Sequence, residues 1–258
     1  MKGAIQLRTQ HYPAYQQLYF GLLLAAVAGS LDAYTYLEHG SVFAGLQTGN
    51  LILLGISISN AEWGKVGYYL IALLAFMIGT IIVKALQHLL TQKPFQLSAV
   101  ILIYELVLMA AVILVGSAVS NVMIIVLLSL AASAQLQQFR QLEGQPFTSI
   151  MMTGSIHGLG EGIYESFIMG NREKRPQVKT GALVLLSFLV GAFLAAIFAP
   201  WLQNRAVAVP LILLIGAVIY LFKHRRDGLE TATEPNFEES DSSQEEPTRS
   251  RTRSRRGH

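Results

Sequence analysis

No cysteine occurs in the 258 residues of this chain, and charge is scarce outside its last stretch. The first absence removes disulfides, thiolate nucleophiles and cysteine-based zinc sites. The second sharpens when position is considered. Charged residues make up 14% of the sequence, against about 25% in soluble domains. Of the 16 acidic residues, eight fall between Asp227 and Glu246, which leaves eight for the first 222 positions. A soluble fold of that size could not cover its surface with so few. The net charge of +3 gives no reason to expect a nucleic-acid partner.

What the sequence has instead is long apolar runs, at about 18–37, 41–59, 66–90, 97–117, 120–140, 147–168, 178–199 and 207–222. A helix crossing the hydrocarbon core needs about 20 residues. The runs therefore predict an all-α polytopic membrane bundle. The first run contains Ala26-Val27-Ala28, which resembles a small-residue cleavage site. A long, weakly charged stretch precedes it and the apolar run continues past it, so a retained first helix is expected.

Two runs are unlike the rest. Residues 41–59 carry Gln47, Thr48, Gly49 and Asn50 at their middle, and residues 147–168 carry Thr153, Gly154, Ser155, His157 and Glu161. Polar, glycine-rich backbone is tolerated at membrane depth where it lines a cavity or is buried in protein. Basic residues favour treating both runs as re-entrant. With the N-terminus inside, eight crossings put ten Lys/Arg inside and four outside, whereas six crossings put twelve inside and two outside. The difference comes from Lys84, Lys93 and Arg140, which move inside, and Lys65, which moves outside.

The two odd runs also occupy matching places, each preceded by a polar residue in an apolar helix, Asp32 in the first half and Gln135 in the second. This pattern predicts two inverted repeats, about 18–117 and 120–222, within a transmembrane domain spanning 18–223. Residues 1–17 are then an N-terminal cytoplasmic segment. Residues 224–258, rich in Ser, Thr and Glu, are expected to be a disordered, charged cytoplasmic tail.

Candidate residues follow from position. Asp32 and Glu105 are carboxylates inside apolar runs, costly unless paired, protonated or wet. Asp32 is thus a candidate for ion binding, proton coupling or holding the Asn50 loop, and Glu105 for proton coupling. Thr48-Gly49-Asn50 and Thr153-Gly154-Ser155 are candidates for presenting backbone and side-chain groups to a solute, with Asn50 and Ser155 also readable as N-caps. His157, Glu161 and Glu165 share a helix face, but the HExxH arrangement is absent and a wet helix face explains them more simply than a metal. Ser155 and His157, two apart, do not make a hydrolase pair. No enzyme activity and no cofactor are expected.

The run from Gly29 through Asp32-Ala33, Phe43 and Thr48-Gly49-Asn50 to Gly55 resembles the first motif of the YoaK-like family of bacterial integral membrane proteins, a family of unknown function. The second motif is similar to Gln135, Phe139-Arg140, Gly144, Pro146-Phe147 and Thr153-Gly154 here. Ser133 and Ala134 stand where a glycine is more usual, and Ser155 where an asparagine or threonine is. The resemblance covers about 15–223 and implies a multi-pass protein of the bacterial inner membrane, with no activity attached. Together these features predict a transporter or channel-like permease for a small polar or ionic solute, proton- or cation-coupled. Its site would lie between Asp32, Thr48, Gly49, Asn50, Gln135, Thr153, Gly154 and Ser155. The other reading is a non-transporting scaffold or sensor. The expected partners are the lipid bilayer and a small solute, with homo-oligomerisation left open.

Overall fold

The computed structural model describes residues 12–90, 93–115, 118–150 and 152–225. The N-terminal segment up to residue 11 and the tail from residue 226 lie outside the described residues. The predicted tail disorder is therefore not addressed by the fold.

Eight α-helices account for most of the described chain: α1 (Leu18–Glu38), α2 (Gln47–Ser59), α3 (Trp63–Leu89), α4 (Pro94–Val115), α5 (Asn121–Gln138), α6 (Met152–Ile163), α7 (Arg175–Leu202) and α8 (Ala208–Lys223). Five stretches are long and apolar enough to cross a membrane, namely α1, α3, α4, α5 and Arg172–Lys223. The fifth stretch is two helices. Gln203, at φ 47°, breaks it, and the 3-10 turn Gln203–Val207 sends α8 back. The protein is an all-α polytopic bundle, as its apolar runs predict.

Side-chain contacts fix the direction of each helix. At one end, Tyr220 of α8 donates to Gln17 before α1, and Phe95 of α4 packs edge-on against Phe222. At the same end Gln138 of α5 bonds Ser98 of α4 at 3.2 Å and Gln87 of α3 at 3.1 Å. At the other end, His39 beyond α1 meets Asn121 at the start of α5, and Tyr34 donates to the Asn204 carbonyl between α7 and α8. So α1, α4 and α7 run from the first end to the second, and α3, α5 and α8 return.

The centre of the bundle is α1, whose buried residues run almost without interruption from Phe20 to Thr35. It packs most heavily on α7, at a crossing where both helices present glycine. A Cβ on Gly29 would strike the backbone carbonyl of Phe188, and one on Gly191 would strike that of Ala26. Small residues that let backbones meet are the usual device of membrane helix pairs. One apolar cluster joins Leu24, Val27 and Leu31 of α1 to Ile101, Leu102 and Met109 of α4, Leu128 of α5 and Leu214 of α8.

The two shorter helices, α2 with 13 residues and α6 with 12, are not among the stretches long enough to cross. The break in each odd run lies before its Thr-Gly pair, which occupies the first turn of the helix that follows. After α1 the chain turns at Gly40, at φ 78°, with the Ser41 N–H bonded to the Tyr36 carbonyl as in a Schellman stop. It then comes back beside α1 as far as the level of Asp32, and α2 climbs again to the end where α3 starts. A second Schellman turn ends α2, with Ala61 at φ 56° and the Glu62 N–H on the Ser57 carbonyl. From the opposite end, the hairpin of β1 (Gln141–Leu142) and β2 (Gln145–Pro146) follows α5. Residues 147–150 then rise beside Gln135, and α6 returns to the end where α7 starts.

Candidate functional site

Asp32 lies on the fifth turn of α1, two turns from its end, and is buried to 5% exposure. Its Oδ1 accepts the Gly45 N–H at 2.6 Å and the Leu46 N–H at 3.4 Å. One turn on, Thr35 Oγ1 accepts the Ala44 N–H at 3.1 Å. The descending loop has no helix or sheet of its own to satisfy these amides, so α1 supplies the acceptors. The other carboxylate oxygen, Asp32 Oδ2, is buried without a hydrogen-bond partner.

Asn50 clamps the same loop from its other side. Its Oδ1 accepts the Phe43 N–H at 2.9 Å, and its Nδ2 donates to the Phe43 carbonyl at 2.7 Å and to Gln47 Oε1 at 2.9 Å. Gln47 Nε2 in turn donates to the Ala44 carbonyl at 2.8 Å. Asn50 is the fourth residue of α2, and Leu46 is its N-cap with no side-chain bond. The N-cap reading of Asn50 is therefore corrected: its amide pairs with the strand-like backbone of Phe43, as a neighbouring strand would. Gly49 keeps this fold closed, since a Cβ there would press on the Phe43 ring at 2.9 Å.

The second loop is held in a related way. Gln135 Nε2 donates to the Leu24 carbonyl of α1 at 2.9 Å and to Ser149 Oγ at 2.6 Å. Ser155 is the fourth residue of α6 and so not its N-cap. The two loops touch each other, because a Cβ on Gly45 would meet Ile150 at 2.8 Å as well as Asp32 Oδ1 at 3.4 Å. Asp32, Gln135 and Asn50 thus converge on one meeting point. Thr48 and Thr153 are exposed and turn away from it, and Gly154 is exposed on α6. Ser155 is half-buried and lines a cavity of about 850 Å³ at the first end. That cavity is bounded by Arg140, Glu143, Thr148, Gly158, Lys174 and Thr180 among others.

The His157–Glu161 pair sits on the outer face of α6, 74% and 66% exposed, 3.7 Å apart. Glu165 turns instead to Lys174 at 3.6 Å. Glu105 lies away from both loops, in the middle of α4.

Residues 20–220 match the family model described as "Protein of unknown function (DUF1275)". The chain belongs to this DUF1275 family. The UPF0700 transmembrane protein YoaK of Bacillus subtilis (strain 168) is 26% identical to it over 203 residues, covering 76% of this chain and 90% of that protein. No solved structure matches. The DUF1275 match holds both loops, Asp32, Asn50 and Gln135, and stops before the tail.

Three residues of this DUF1275 chain that organise the site were not singled out from sequence: Thr35, His39 and Ser149. Thr35 had a signal, since it stands one turn beyond Asp32 on the same face. His39 is fully buried where α1 ends. Its Nε2–H donates to Tyr34 Oη at 2.8 Å, Tyr34 donates to the Asn204 carbonyl at 2.8 Å, and Nδ1 is 3.0 Å from the Asn121 side-chain amide. The network ties α1 to α5 and to the α7–α8 turn. Burial holds the His39 imidazole below its ordinary value. A group whose folded value is depressed by burial of its neutral form contributes stability above its unfolded value, about 6.5, and loses it as pH falls through the folded one. Thermal unfolding in detergent should therefore shift to lower temperature on acidification. His39→Phe should remove most of that pH dependence, and an unchanged dependence would separate His39 from it.

Proposed function

We propose that this protein is a permease for a small polar or ionic solute, coupled to a proton or cation through Asp32. One observation carries the reading. Two re-entrant segments, entering from opposite ends of the bundle, meet at Gly45 and Ile150 beside a buried carboxylate that has one oxygen unpartnered. Paired interrupted segments in corresponding places of two halves are the arrangement in which transport sites sit near the bilayer midplane. The matching roles of Asp32 and Gln135, each reaching from or to α1 to hold a loop, support an origin by inverted duplication. The cavity under Ser155 supplies an approach from the first end. The meeting point itself, closed around Asn50 and Thr35, is the closed side of the pathway.

The basic residues support a cytoplasmic first end in a bacterial inner membrane. Lys84, Lys93, Arg140, Arg172 and Lys174 lie at that end, and Lys65 and Arg205 at the other. A scaffold reading draws its support from the same dryness at Asn50. It requires that the second loop be dry as well, which the cavity lined by Ser155 opposes.

The absence of native cysteine makes accessibility scanning a clean test. Single cysteines at Asn50, Ser155, Lys65 and Arg172 would be labelled from each side of native membranes. Lys65→Cys should react from outside, Arg172→Cys and Ser155→Cys from inside, and Asn50→Cys should change its reactivity when the coupling ion or solute is supplied. Failure of both Asn50→Cys and Ser155→Cys to react under any condition would leave the scaffold as the better account.

A further inference from the structure

Glu105 is the twelfth of the 22 residues of α4, so about 16 Å of helix lies on either side of it. It is 0% exposed, and neither carboxylate oxygen has a hydrogen-bond partner. Ile101, Leu102 and Met109, one turn away on the same side of α4, are all fully buried in the main apolar cluster. Glu105 shares neither loop nor cavity with the site around Asp32.

Among the described residues no charged side chain bonds it. On α4 itself Tyr104 is its titratable neighbour. Helix α5, packed against α4, has no titratable side chain from Asn121 to Gln138. Helix α8 carries Tyr220 and Lys223 in its last turn, and Arg205 lies in the turn before α8. Helix α3, which touches α4 lightly, carries Lys65, Tyr68, Tyr69, Lys84 and His88. None of these bonds either Glu105 oxygen. An ionised carboxylate cannot be held in such a place without a partner, whereas a neutral carboxylic acid can.

We propose that Glu105 is a proton-binding site, separate from the Asp32–Asn50 site, which holds its proton while α4 is packed against α5 and α8 and gives it to water when that packing opens. The ligand is a single proton, and the acid becomes a carboxylate as the proton leaves. The neutral form fits the closed packing and the charged form does not, so closure is favoured by the bound proton and weakened as pH rises. The proposal does not depend on transport, and a failed transport assay leaves it intact.

Infrared spectroscopy of the full chain in lipid vesicles tests it. At neutral pH the wild type should show the carbonyl band of a protonated carboxylic acid. That band should move when isotopically labelled glutamate is incorporated, vanish in Glu105→Gln and persist in Asp32→Asn. On raising the pH the band should disappear while amide exchange in α4 and α5 accelerates. Glu105→Gln, a neutral isostere, should exchange at a rate with no such added pH dependence. The isotope result in the wild type stands even where a variant folds poorly. Three outcomes overturn the proposal: no glutamic-acid band at neutral pH, a band that neither titrates nor exchanges its proton for deuterium, or a Glu105→Gln variant that loosens with pH as the wild type does.

Discussion

Replacing Asp32 with alanine should release the loop that precedes α2 and lower the thermal stability of the detergent-solubilised protein by several degrees or more. The substitution leaves the Gly45 amide without an acceptor in a buried site, and the Leu46 amide loses its longer, part-buried bond. Each buried donor left unmade costs about 1–3 kcal/mol. Asp32→Asn is the informative control, because its side-chain oxygen can still accept from Gly45. It should lose about 1 kcal/mol, the difference between a charge-assisted and a neutral bond. If Asp32 only holds the loop, Asp32→Asn keeps both fold and any transport. If it also couples an ion, Asp32→Asn folds but moves solute without the ion gradient. An Asp32→Ala protein as stable as wild type, with Gly45 no more accessible to labelling, would remove Asp32 from the loop-holding role.

The largest effect on folding should come from the α1–α7 crossing. Gly191→Leu puts a branched side chain where the Ala26 carbonyl already sits, and Gly29→Leu does the same against Phe188. Overpacking a core typically costs about 1–3 kcal/mol. Here the obstacle is backbone of a partner helix, which has no rotamer to yield, so the loss should reach or exceed the upper end. Membrane insertion would proceed, since the apolar character of both helices rises. The protein should then fail to give a monodisperse peak in size-exclusion chromatography. Gly55→Leu is the matched control, because nothing lies within 4 Å of its added Cβ. Equal behaviour of Gly191→Leu and Gly55→Leu would mean that α1 and α7 are not locked at this point.

Much of this arrangement was legible in the sequence because hydrocarbon is a severe solvent. A carboxylate or a Gln-Thr-Gly-Asn run inside twenty apolar residues has few explanations, and the odd segments were found for that reason. The details that escaped depend on tertiary partners. Nothing in the order of residues says that Asn50 reaches back seven positions to Phe43, because a fourth-position amide near a helix start reads as a cap. The turn at Ala61 was equally hidden, since an alanine at positive φ carries no turn signal. Thr48 and Thr153 read as site residues by composition, yet both are exposed in the first turns of α2 and α6. Glu105 could be placed only by the packing of α4, since its sequence run fits a position near an interface as well as one at mid-depth.

The glycine crossing between α1 and α7 has a mechanical meaning as well. Two backbones in mutual contact cannot approach further, but they can rotate about the point where they touch. The crossing where Gly29 meets Phe188 and Gly191 meets Ala26 is thus suited to be a fulcrum. Asp32 and the loop it holds lie on one arm of α1, and Leu24, which receives Gln135, lies on the other. A small rocking of α1 about that pivot would move one loop inward as it moves the other outward.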